Sequence, residues 1–142
     1  MVIKHEVMKK VLYMMTLALA ILTGCAKELT LAEKICGEWR RSGLSADAGI
    51  YIRFSAGGTF ELYQKMSGDS FELRRGKWSL DGDVLTGIYN DGEAWPRAYK
   101  ASVAGKHLTM EALEENGETN VYLKVTIPKI IKENCTVVVK SY

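Results

Sequence analysis

The chain has 142 residues, with 19 Lys and Arg against 17 Asp and Glu, 2 His and 3 Cys. That length suits one domain with one core, and a charge this near balance excludes a basic nucleic-acid surface. Pro is scarce at 2 and Gly frequent at 13, and the glycines fall between β-rich segments, which reads as turns and not as disorder.

Residues 1–24 read as a processing segment. Lys4, Lys9 and Lys10 form its positive region, and Val11 to Leu22 its apolar one. That apolar run is shorter than the roughly 20 residues a transmembrane helix needs. It closes on Leu22-Thr23-Gly24-Cys25, which resembles the lipobox of bacterial lipoproteins. The resemblance implies cleavage after Gly24 and acylation of Cys25, which would tether the chain to a lipid bilayer. Each buried CH₂ of such an anchor adds about 0.8 kcal/mol. No Asp follows the cysteine, so the resemblance implies the outer membrane. Cys25-Ala26-Lys27-Glu28 also partly resembles a short acidic export tag, which would place the protein at the cell surface. Residues 25–29 are then a lipidated tether and residues 30–142 the folded domain. Removing Lys4, Lys9, Lys10 and Glu6 from 19 basic and 17 acidic residues leaves 16 of each, so the mature chain is neutral.

Thr30-Leu31-Ala32-Glu33 fits a capping box and predicts a short helix to Ile35 or Cys36. Beyond it the periodicity becomes two, and eight strands are expected. They are 37–42, 49–55, 59–66, 71–80, 84–89, 99–104, 107–113 and 121–127. In the fourth, the apolar face changes from Phe71 and Leu73 to Trp78 and Leu80, which predicts a bulge or sharp bend at Gly76. Short connections (56–58, 81–83, 105–106) alternate with long ones (43–48, 67–70, 90–98, 114–120). An antiparallel up-and-down meander gathers the short turns at one end and the long loops at the other. Eight strands can close into an all-β barrel, a cup with a tight base and a looser mouth. The short helix would plug the base. After Pro128, a helical turn and a further short strand over 136–140 are expected. An open sandwich is the alternative fold.

Cys36 and Cys135 precede the first strand and follow the last, so both are expected at the closed end. In an oxidising envelope a disulfide between them is expected, with two buried free thiols as the alternative. Ile52, Phe54, Phe60, Leu62, Met110 and Leu123, together with Met66 and Val121, are expected to face inward. Such a wall suits a small hydrophobic ligand and equally a filled core. Trp95, in the longest mouth loop, is the candidate for contact with a ligand, sugar or partner.

No catalytic constellation stands out. His107 is the single histidine after the leader, and no Gly-x-Ser-x-Gly frame surrounds a serine. Asp81-Gly82-Asp83 lacks the length of a calcium loop and reads as a hairpin turn. No metal, cofactor or enzymatic activity is expected, and the chain reads as a monomer. Gly37-Glu38-Trp39 at the first strand resembles the Gly-x-Trp start of lipocalins, and the domain resembles small bacterial lipocalin-like lipoproteins. That resemblance implies that Trp39 packs across the barrel base under a basic residue near the end of the last strand, here Lys124 or Lys129. It implies a binding protein. The alternatives are a protein-binding barrel, such as a protease or lysozyme inhibitor, and a structural or glycan-contacting surface domain.

Overall fold

A computed structural model describes residues 27–139. The leader and the acylation of Cys25 lie outside the described residues. Thr30 Oγ1 accepts the Glu33 amide at 3.2 Å and starts α1, Leu31–Ile35. Gly37 then takes φ +136°, a conformation that L side chains rarely adopt, and turns the chain out of α1 into the sheet.

Eight strands follow: β1 Gly37–Arg41, β2 Gly49–Phe54, β3 Thr59–Lys65, β4 Glu72–Asp81, β5 Val84–Tyr89, β6 Tyr99–Ala104, β7 His107–Ala112 and β8 Thr119–Lys124. Each pairs antiparallel with the next, and β8 pairs back onto β1, so the sheet closes into a barrel. Closure leaves none of the eight as a free edge, which is the physical reason a meander of short strands is stable. The chain then forms α2, Lys129–Glu133, and β9, Thr136–Val137. β9 runs parallel to the start of β4 through Glu72↔Thr136 and Leu73↔Val137.

The bulge expected at Gly76 is not present. The β3–β4 register runs unbroken from Thr59↔Lys77 to Gln64↔Glu72. The apolar residues change face because there are two apolar environments. Gly76 and Trp78 stand opposite inward residues. Leu73 stands opposite Tyr63 on the outer wall. There Tyr63, Leu73 and Ile127 form a second buried cluster, covered by Phe71, Ile131 and Cys135. What Gly76 does supply is room: a Cβ there would lie 2.1 Å from the Ile88 carbonyl oxygen and 2.7 Å from the Phe60 ring.

β8 also differs from expectation. It begins and ends earlier, and its faces are exchanged. Tyr122 pairs with Arg41 and Leu108 and is buried, whereas Leu123 pairs with Arg40 and His107 and is exposed. Burying a large phenol ring inside the barrel outweighs the pattern of the smaller aliphatics. Met66 falls beyond the end of β3 and is exposed.

Cys36 and Cys135 are free thiols and form no disulfide. Cys36 sits at the base between α1 and β1. Cys135 follows α2, which carries the chain along the outer wall, and packs against the cluster of Tyr63 and Leu73. The expectation of a shared closed end fails because the segment after β8 climbs the outside of the barrel.

Candidate functional site

The base is sealed by α1 and β1. Ile35 and Trp39 are fully buried, and Leu31 packs on the same core. The Trp39 indole N–H donates to the Ile35 carbonyl at 2.8 Å. Lys124 Nζ lies 5.6 Å from the centre of the Trp39 ring, a cation–π contact, so of the two candidate lysines it is Lys124 that covers Trp39. Lys129 instead pairs with Glu133 at 3.5 Å.

Above the base, Ile52, Phe54, Phe60 and Met110 are buried in one continuous core, with Leu62 half-buried against it. Leu123 is not among them. Aromatic rings fill much of the span. Phe54 meets Trp78 edge-on at 5.6 Å, and Phe60 meets both Tyr89 at 5.7 Å and Trp95 at 5.1 Å. Trp95 does not reach outward from the mouth loop as expected. It folds back under the loop, half-buried, and meets Tyr99 at 6.3 Å. Its indole N–H is buried without a hydrogen-bond partner.

The open end has a different lining. Arg41, Arg74, Tyr89, Tyr99 and Tyr122 share the inward face with the core residues they pair with. Arg74 lies over the Tyr89 ring at 5.7 Å. Arg41 reaches Glu118 only at 4.0 Å. Burial pushes the Tyr122 phenol up to about 12; the nearby Arg41 charge opposes the shift, and Tyr99 and Tyr89 reinforce it. Burial likewise raises Tyr89, against the pull of Arg74. These phenols therefore stay protonated at neutral pH and can donate hydrogen bonds. Clefts open along the same rim. One of about 240 Å³ is bordered by Gln64, Met66, Glu72 and Arg74, and another of about 270 Å³ by Arg41, Ser42, Leu44 and Leu123.

The sequence pattern pointed to the apolar wall and missed this polar ring. Arg74 could have been found, because it lies in phase with Gly76 and Trp78 once the unbroken strand is known. Tyr99 lies in phase with Ala101 and Val103. Tyr122 was hidden by the neighbouring Val121 and Leu123. His107 is exposed at a base turn. Among the described residues, no group of three or more His, Cys, Asp or Glu side chains is placed to hold a metal ion. No helix among them is long and apolar enough to cross a membrane.

A closed antiparallel barrel with a plugged base, an aromatic interior and a ring of donors at its open end defines the class of small β-barrel binding proteins. The chain belongs to the lipocalin-like domain family, whose model matches residues 35–110, from the end of α1 through most of β7. A solved structure of a protein from Bacteroides uniformis is similar in fold, with a TM-score of 0.53 and 18% sequence identity. The match covers 67% of this chain and 92% of that one. Among curated proteins no relative matches.

Proposed function

We propose that this protein is a lipid-anchored envelope protein, tethered through acylated Cys25 at the outer membrane, and that its barrel holds a small ligand at the open end. The ligand has an apolar body that lies on the aromatic interior and an acidic or acceptor-rich end that meets Arg41, Arg74 and the tyrosines. The observation that carries this reading is the inward-facing set of donors at one end of a barrel whose other end is sealed. Arginines and protonated phenols brought together on an inner wall are costly to desolvate and call for an acceptor. The barrel works by binding and not by catalysis, and takes no cofactor.

A small-molecule extract of the host's own cells tests this. A ligand present at 100 times its Kd stabilises the fold by about 2.7 kcal/mol. The extract should therefore raise the melting temperature of the wild type, and Arg41→Gln with Arg74→Gln should remove most of the rise while leaving the unliganded melting temperature near its original value. An equal rise in the double variant would contradict the placement of the ligand at the open end.

A further inference from the structure

We propose that Trp95 is a resident plug: its indole occupies a slot shaped for a flat aromatic ligand, and the 90–98 segment is the flap that admits one. The proposal rests on the reading of the barrel as a ligand carrier, and it adds the ligand's shape and its route.

The wall is weakest beside Trp95. β5 and β6 pair only through Val84↔Lys100 and Leu85↔Tyr99, whereas β6 and β7 pair through six positions. Beyond Leu85 the wall is closed by β5's own outgoing loop, folded back on itself. Ile88 bridges Ala94, the Tyr89 amide donates to the Glu93 carbonyl at 2.8 Å, and the Trp95 amide donates to the Gly87 carbonyl at 2.8 Å. Residues 90–94 in this loop are exposed. A wall made of a few loop hydrogen bonds opens more readily than a strand ladder does.

The slot has a definite shape. A Cβ on Gly87 would lie 2.2 Å from the Trp95 ring, so the absent side chain is what makes the floor. Phe60 and Tyr99 meet the indole at 62° and 73° and form the walls. A glycine floor between two edge-on rings selects a planar fused ring system.

The plug is incompletely satisfied. The Trp39 and Trp78 indoles donate to the Ile35 and Ser55 carbonyls, whereas the Trp95 N–H is buried with no acceptor. Swinging the flap out returns that N–H to water and removes the desolvation penalty. A planar ligand that takes the vacated slot keeps the aromatic contacts without that penalty.

The test is a reversible latch. Ile88→Cys with Ala94→Cys, in a chain carrying Cys36→Ser and Cys135→Ser, places two thiols across the antiparallel bridge. In the reduced protein the Trp95 indole proton should exchange with solvent roughly tenfold or more faster than that of Trp39, because it opens locally. Adding 2-naphthol should move the 5-fluorotryptophan resonance of Trp95. Oxidation should suppress both effects, and reduction should restore them. Trp95 exchange as slow as that of Trp39 in the reduced protein, or equal 2-naphthol binding in both redox forms, would overturn the flap. A Trp95 resonance that 2-naphthol leaves unmoved in the reduced protein would overturn the slot. In that case the open-end reading would still be decided by the extract and the arginine variants.

Discussion

Trp39 ties the base of the barrel in three directions. Its indole donates to α1, its ring lies under Lys124, and its body is fully buried in the core. Deleting a buried aromatic of this size costs about 3–5 kcal/mol. Trp39→Ala should therefore lower the melting temperature sharply, as read by circular dichroism, and an unchanged value would contradict the assignment. This residue was legible in the sequence because Gly37 and Trp39 serve the backbone and the core at once. Gly37 supplies the positive φ, and Trp39 supplies the plug. Trp95 was legible only as an aromatic in a long loop. Which way a loop residue turns depends on what the strands leave open, here the space above Gly87, and that space exists only once β5 and the loop are folded together.

At the scale of elements, the C-terminal segment is a strap buckled by Glu38. The Glu38 carboxylate accepts the Ile127 amide at 2.9 Å and binds Lys132 Nζ at 3.1 Å through both oxygens. This holds Ile127 against Tyr63 and Leu73 on the outer wall. Burial alone would raise the Glu38 carboxyl, but the bonds from Ile127 and Lys132, with the Arg53 charge nearby, outweigh it and leave it below the usual carboxylate range. The folded form thus holds its proton less tightly than the unfolded chain does. The stability that results is complete above the usual carboxylate range and is lost as pH falls through it towards the lower folded value. Glu38→Gln should remove this part of the acid dependence, so that its melting temperature falls less between pH 6 and pH 3 than the wild type's. Parallel curves would contradict the buckle. The strap also explains why the fourth strand misled its pattern. Alternation reports which residues are apolar, and it cannot tell an inner wall from an outer wall that a later segment covers. The elements themselves were legible. α1, β5 and β6 fall where the pattern put them, β1, β2, β3 and β7 end one residue earlier, and β4 starts and ends one residue later. β8 moves earlier and exchanges its faces, because Tyr122 fills the interior.

For the whole molecule, the alternation of short and long connections carried the architecture. It placed every tight turn at one end, and closure of β8 onto β1 follows from eight short strands that would otherwise leave exposed edges. The sealed base and the donor-lined rim then make the molecule polar along its axis. α1 lies at the base, so an anchor at Cys25, as proposed, would leave from the base and turn the open end away from the lipid surface. Arg74 and Tyr99 were legible one at a time from their phase, but the assembly of the polar ring was not. Arg41, Arg74, Tyr89, Tyr99 and Tyr122 come from five strands, β1, β4, β5, β6 and β8, and only the closed register brings them to one rim.

The central claim is that this barrel carries a small molecule, and native mass spectrometry of the protein released in detergent from its own host membranes tests it most directly. The account predicts a chain that begins at an acylated Cys25 and carries a further noncovalent adduct of small-molecule mass, which gentle collisional activation removes. A chain of bare acylated mass under the mildest conditions, with no such adduct, would contradict it.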